Sequence, residues 1–340
     1  MTGKDTIILG IESSCDDTSA AILKNGEILS NIVAGQKVHE EYGGVVPELA
    51  SRAHQQNIIP VVDTAIKKAG ISLDDIDGIG FTRGPGLLGS LIVGTSFAKS
   101  LALARNIPLI EVNHMQGHVL AHFIKAEGQS APEFPFICLT VSGGHTQIVL
   151  VKDYFEMEIL GQTKDDAAGE AFDKAAKIMG LPYPGGPLID KYGKEGDPAK
   201  FKFPFSNVQG YDFSFSGLKT AILYFLQKEM KANPNFIEEN LNDICASYQE
   251  TIIQSLFKKL TKAAKDHGVK DIAIAGGVSA NSRLRAELEN RGKQLGWRTF
   301  IPKFEFCTDN AAMIAIAAYY KYFDKDFVGQ EVVPDARLKF

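Results

Sequence analysis

Few of the residues that mark specialised protein classes are abundant in this chain. Its four cysteines, Cys15, Cys138, Cys245 and Cys307, are scattered with no C-x-x-C pair. That excludes a zinc ribbon and a disulfide framework, and it points to a reducing compartment. An excess of basic residues is also missing: 36 Lys and Arg stand against 41 Asp and Glu, a net charge of −5. Bulk electrostatics therefore predicts no nucleic-acid binding, and an RNA partner would need a local basic patch or basic partner subunits. Lys191, Lys194, Lys200 and Lys202 are the densest such patch, equally readable as a solvated loop. Long hydrophobic runs are lacking too. The stretch MTGKDTIILGIESSCDD has one short apolar run before its acidic residues, too short for the core of a signal peptide, and no later run approaches a membrane span. These absences predict a soluble, cytoplasmic protein.

What is present is an ordinary globular composition, 45% hydrophobic and 23% charged over 340 residues, enough for two domains with cores of their own. Residues 6–11 (TIILGI) and 18–23 (TSAAIL) read as strands joined by the polar turn ESSCDD. Residues 136–141 (FICLTV) and 146–151 (TQIVLV) repeat the pattern around SGGH. Between and after these hairpins, helical periodicity alternates with short apolar strands, which makes the class α/β with mixed sheets. The repeat predicts two similar domains facing each other across a ligand cleft: residues 1–130 and residues 131–308, with a helix over 309–325 packing back on the first.

Three Gly-Gly turns stand out, VSGGH at 141–145, YPGGP at 183–187 and AGGVSAN at 275–281. Adjacent glycines allow backbone amides to approach a ligand closely, and a helix start that follows adds a positive dipole end suited to phosphate. The last turn lies between a strand and a helix, with Asn281 or Ser279 available as N-cap. Neither a P-loop nor a G-x-G-x-x-G spacing occurs at these turns. Two strand-turn-strand units plus a strand-Gly-Gly-helix unit form the pattern of the actin-like ATPase class. In DDAAGEAFDKAAKIMG, Asp166, Glu170 and Asp173 fall on one face of a predicted helix, with Asp173 a candidate neighbour of a bound ribose. In FCTDNAAMIAI, Thr308 or Asp309 is most simply a helix N-cap.

The stretch EVNHMQGHVLAHF sets His114, His118 and His122 four residues apart. On a helix, neighbours four apart have Cβ atoms roughly 5–6 Å from each other, so His114 with His118, or His118 with His122, could grip one ion. All three could not, because eight residues span about 12 Å of helix. A metalloprotease reading fails, since the residue after the first histidine is Met115 where H-E-x-x-H requires glutamate.

Taken together, GIESSCDDT, GGVVPELASR, GPGLLGSL, NHMQGH, VSGGHTQ, DDAAGEAFDK, YPGGP, DFSFSGLKT, AGGVSAN and EFCTDNAAMIA, in this order from about residue 6 to about 320, resemble the signature stretches of the TsaD family of tRNA N6-adenosine threonylcarbamoyltransferases. The resemblance implies two RNase-H-like domains of the actin-like (ASKHA) class. It implies an acyltransferase that moves a threonylcarbamoyl group from threonylcarbamoyl-AMP to N6 of adenosine 37 in tRNAs reading codons that begin with A. The product is N6-threonylcarbamoyladenosine (t6A), and AMP leaves. It also implies one divalent metal, iron(II) with zinc as the alternative, on His114, His118 and Asp309. The substrate-binding residues it implies are Thr140, Val141, Ser142, Gly143, Gly144, Asp173, Gly186, Asp190 and Asn281. Archaeal and eukaryotic relatives carry a tyrosine ligand where this chain has Thr140. Glu12 and Asp16, in the first hairpin turn, are candidate proton acceptors. Implied partners are tRNA, a paralogous TsaB-like subunit and a TsaE-like P-loop ATPase. Two other readings compete with transfer: an ATPase or kinase of the same fold, and a nucleotide-regulated scaffold subunit.

Overall fold

The computed structural model describes residues 5–36, 38–204 and 208–340, the side chain of Glu40 excepted. The chain divides into two compact units, one formed by the segment up to Ala131 together with Pro302–Phe340, the other by Pro132–Ile301. In the first lie β1 (Ile7–Glu12), β2 (Thr18–Lys24), β3 (Glu27–Ala34), α1 (Val38–Tyr42), α2 (Pro47–Ala69), β4 (Gly78–Gly84), α3 (Leu88–Arg105), β5 (Leu109–Asn113) and α4 (His114–Leu120). The second contains β6 (Phe136–Val141), β7 (Thr146–Val151), β8 (Met157–Gln162), α5 (Ala168–Ile178), α6 (Gly185–Gly193), α7 (Ser216–Ala232), α8 (Phe236–His267), β9 (Asp271–Ala275), α9 (Ser282–Leu295) and β10 (Arg298–Phe300). Helix α10 (Ala311–Asp324) belongs to the first unit.

The two sheets share one topology. Among the described residues their orders are β3-β2-β1-β4-β5 and β8-β7-β6-β9-β10. In each, the first three strands form an antiparallel meander, and the next two add in parallel beside the first. Even an irregularity recurs, between Ile22 and Leu23 in one meander and between Ile148 and Val149 in the other. The expected hairpins are therefore present, and each gains a third strand. β3 and β8 escape a reading by hydrophobic runs because they are edge strands with mixed burial, EILSNIVA and MEILGQ. β1 and β6, covered on both faces, are buried along their whole length.

Helix α10 fixes the first unit. Ala311 to Ala318 are all fully buried, and the small side chains bring the helix backbone close against the sheet. Gly10 of β1 and Gly80 of β4 complete the fit: a Cβ on Gly10 would stand 2.7 Å from the Ala315 amide, and one on Gly80 would collide with the Ala318 methyl. On the other side, Gly117 of α4 lies against α10, where an added Cβ would meet Ile314 Cδ1 at 3.2 Å. Expected Thr308 or Asp309 caps give way to Asn310, whose side chain accepts from the Met313 amide. With the cap supplied by Asn310, the Asp309 carboxylate is free for other partners.

Replacing Gly10 with valine should lower stability by about 1–3 kcal/mol or more, because neither the strand nor the helix backbone can yield. Denaturant unfolding of Gly10→Val measures this, and an unchanged midpoint would contradict the packing described.

Candidate functional site

β5 ends at Asn113, whose side-chain oxygen accepts from the amides of Met115 and Gln116 and so starts α4. The helix begins at His114, putting His114 and His118 on one face with ring centroids 4.7 Å apart and planes perpendicular. Asp309 arrives from the turn before α10. Its Oδ1 lies 3.1 Å from His118 Nε2 and 3.4 Å from His114 Nε2. The three ligand atoms fall within 4.8 Å of one another. Ligand bonds of about 2.0–2.2 Å to a tetrahedral ion place ligand atoms roughly 3.3–3.5 Å apart, so the triangle fits one ion, and three protein ligands leave positions open, as in catalytic sites. His122 is buried in the 3-10 turn that follows α4 and takes no part in the cluster.

Behind His114 sits Glu12, fully buried at the end of β1. One carboxylate oxygen accepts from the Ser14 amide. The other accepts from the Thr82 hydroxyl at 2.6 Å and meets His114 Nδ1 at 3.0 Å. The Ser14 hydroxyl also touches Nδ1, at 3.1 Å. A carboxylate can only accept, so Nδ1 carries a proton and Nε2 is turned toward Asp309. Burial pulls the His114 pKa down, but the charges of Asp309 and Glu12 more than reverse this and hold it well above the usual histidine value. Asp309 is pushed up by burial and drawn down further by His114 and His118, ending well below the usual carboxylate range. The carboxylates of Glu12 and Asp309 on either side of His114 give the site the negative charge that favours a cation there.

The turn between β1 and β2 supplies more acidic groups. Asp16 is half-buried there beside Cys15. Burial, then the Asp16 charge, push the Cys15 thiol far up, which removes it as a nucleophile. Asp17 is pushed up to about 7 by burial and by Asp16, Asp309 and Glu12. His54 of α2 pins this turn. Its Nε2 donates to the Cys15 carbonyl at 3.0 Å, which leaves Nδ1 to accept from the Thr18 hydroxyl at 2.8 Å. Sequence reading missed His54, Ser14 and Thr82, and the signal for His54 was its place two residues after the end of GGVVPELASR.

In the second unit the predicted ligand residues form a connected chain. Asp173 Oδ1 accepts from the amides of Gly185 and Gly186 at 2.8 and 3.1 Å, which holds the start of α6. Burial raises the Asp173 pKa against the opposing pull of these amides. Further along α6, Asp190 Oδ1 accepts from the Ser282 amide and hydroxyl. Asn281 caps α9 through the Leu284 amide and donates to Gln249 at 2.6 Å. Ser282 and Gln249 carry no sequence signal of their own. Thr140 and Val141 are fully buried, with the Thr140 hydroxyl on the Gln147 carbonyl, so only Ser142, Gly143 and Gly144 of that turn reach the surface. Asp166 lies before α5 rather than on it and pairs with Lys174, as does Glu170. This leaves Asp173 alone on its task. The lysine patch resolves into separate contacts: Lys200 pairs with Asp243, Lys194 lies 3.7 Å from Asp190, and Lys191 sits over Tyr192.

Comparison with known proteins matches these motifs to one family. A sequence model described as tRNA N6-adenosine threonylcarbamoyltransferase matches residues 27–316. Proteins of that name from Christiangramia forsetii and Riemerella anatipestifer are 64% and 63% identical, the first over the full length of both chains, the second over 99% of this chain and 98% of its own. Among solved structures, full-length HypF aligns with a TM-score of 0.64 at 13% identity, over 95% of this chain and 47% of HypF. Component A of the (R)-2-hydroxyglutaryl-CoA dehydratase of Acidaminococcus fermentans aligns at 0.52 with 16% identity, over 94% of this chain and 99% of its own. At such identities these structures speak for the fold alone, the two-domain actin-like fold.

The raised Asp17 carboxyl gives a pH test in metal-free protein. A folded-state pKa above the unfolded one contributes stability at low pH that is lost as pH rises from the ordinary 3.8 toward about 7. Asp17→Asn should therefore match the wild type near pH 4 and exceed it increasingly up to about pH 7. Urea unfolding across that range measures the difference, and a difference independent of pH would contradict the assignment.

Proposed function

Because the chain belongs to the tRNA N6-adenosine threonylcarbamoyltransferase family, we propose that His114, His118 and Asp309 hold one divalent ion in the service of that transfer. The reaction joins the threonylcarbamoyl carbonyl carbon to N6 of a tRNA adenosine, breaks the bond from that carbon to the phosphate oxygen of threonylcarbamoyl-AMP, and releases AMP and the N6 proton. The target is position 37 of tRNAs that read codons beginning with A. The observation that carries the metal reading is the convergence of two imidazole nitrogens on one aspartate oxygen, with a buried carboxylate behind the first histidine.

Two histidines and a carboxylate with open positions suit iron(II), with zinc as the alternative. When bound, the ion supplies Lewis-acid polarisation of a carbonyl or phosphate oxygen. Glu12 keeps His114 in the tautomer that presents Nε2, and its own oxygens are spent on Ser14, Thr82 and His114. Asp16, in the same turn, is the candidate acceptor for the N6 proton. In the second unit, Asp173 commits Oδ1 to two backbone amides, leaving its other oxygen for the hydroxyls of a ribose, while Asp190 commits Oδ1 to Ser282 and has Lys194 3.7 Å from Oδ2. Ser142, Gly143, Gly144, Gly186 and Asn281 complete the contacts to the adenylate. An exocyclic amine is a weak nucleophile, so positioning is the main source of rate.

The acidic balance of the chain favours help with tRNA, and the partners proposed are a TsaB-like paralogue and a TsaE-like P-loop ATPase. Among the described residues, no helix is long and apolar enough to cross a membrane. The proposed compartment is the cytoplasm.

Incubation of the purified protein with labelled threonylcarbamoyl-AMP and tRNA, with and without these partners, tests the reading. Label on the tRNA is expected; phosphate released from ATP alone would favour a kinase-like enzyme. His114→Ala should abolish both metal retention and transfer, and full transfer by a metal-free variant would sink the metal role. Glu12→Gln should weaken metal affinity about 10–100-fold, as loss of a partner to a ligating histidine does.

A further inference from the structure

Residues 333–340 cross the end of the first sheet and reach the metal-binding helix by two routes. The first is direct. Asn113, one residue before His114, caps α4 with its side-chain oxygen and uses its side-chain nitrogen to donate to the Lys339 carbonyl at 3.0 Å. The orientation of the cap is thus set by the return segment.

The second route runs through the loop after β4. The Asp335 amide donates to the Arg83 carbonyl at 2.9 Å, the Gly86 amide to the Ala336 carbonyl at 3.3 Å, and Arg83 Nε to the Val333 carbonyl at 3.2 Å. Gly84 has no room for a Cβ against the Asp335 carbonyl, and Gly86 has none against the Ser14 carbonyl. Ser14 is pinned in turn, since the Leu87 amide donates to its carbonyl at 2.7 Å. Its hydroxyl stands 3.1 Å from His114 Nδ1. The loop is thus clamped between the return segment and the residue that touches His114.

We infer that residues 333–340 act as a brace that holds His114 in its ligating position, with Asn113 as the positioning residue between brace and helix. This rests on the metal reading of the same site. None of residues 333–340 is one of the three ligands, so the effect of the brace is on how well the ligand triangle is preorganised. Serine at 113 still caps a helix but cannot reach the Lys339 carbonyl, which separates the two functions of the asparagine.

Cobalt(II) titration of the apoprotein, read by its visible absorption, tests the brace with four chains: wild type, Asn113→Ser, a chain ending at Leu338, and the combination. Each single change should weaken cobalt affinity about tenfold, within the range usual for outer partners of metal ligands. Because both remove the same hydrogen bond, the combination should be no weaker than either alone. Thermal melts of the apoproteins should stay close to wild type for Asn113→Ser. Unchanged cobalt affinity in Asn113→Ser overturns the brace, as does full additivity of the two changes. Should the shortened chain fail to fold, Asn113→Ser alone decides. A wild-type chain that takes up no cobalt would overturn the metal reading itself, and the brace with it.

Discussion

The close packing of α10 against β1, β4 and α4 is the constraint on which the candidate centre depends. His114 and His118 come together through local helical geometry, but Asp309 lies 191 residues from His118 along the chain. It reaches them because Gly10, Gly80 and Gly117 let an alanine-rich helix sit with its backbone almost on the sheet. Ser19 of β2 adds a peg, its hydroxyl accepting from the Ala311 amide at 2.8 Å. Small residues here do what large ones do in most cores: they set a distance, and that distance places a carboxylate oxygen 3.1 Å from an imidazole nitrogen.

Much of this was legible in the sequence, for physical reasons that differ from element to element. β1, β2, β6 and β7 are buried strands with continuous apolar runs, so their positions could be read within a residue or so. β3 and β8 lie at sheet edges, where one side of each strand faces solvent and the apolar signal is diluted. Helical spacing singled out a histidine pair but left His118 with His122 as an equal choice. The chain after His118 tightens into a 3-10 turn that carries His122 away from the cluster, which spacing counted on a continuous helix does not anticipate. Asp309 carried no signal beyond its place near a helix start, and even there the cap is its neighbour Asn310.

The groups around the ligands were the least legible part. Glu12 drew notice as an acid in a turn, yet its surroundings make it a partner of His114: it is fully buried and accepts from Ser14 and Thr82. Such roles depend on residues brought together by the sheet, in this case β1 beside β4. The second unit shows the same limit. Asp173 and Asp190 belong to recognisable motifs, but their partners Gly185, Gly186 and Ser282 come from other elements of the fold.

All three ligand atoms belong to one compact unit, but to parts of the chain separated by the whole of the other. An ion bound there is a crosslink: it joins the segment before Ala131 to the segment after Pro302 and closes a loop of nearly two hundred residues. Because the three ligands come together only in the folded chain, an ion there stabilises the unit by mass action on the folded state, growing with the logarithm of its concentration over its dissociation constant, and leaves the unfolded chain unrestrained. An ion held by His114, His118 and Asp309 would therefore also fasten the two chain segments of this discontinuous unit to each other.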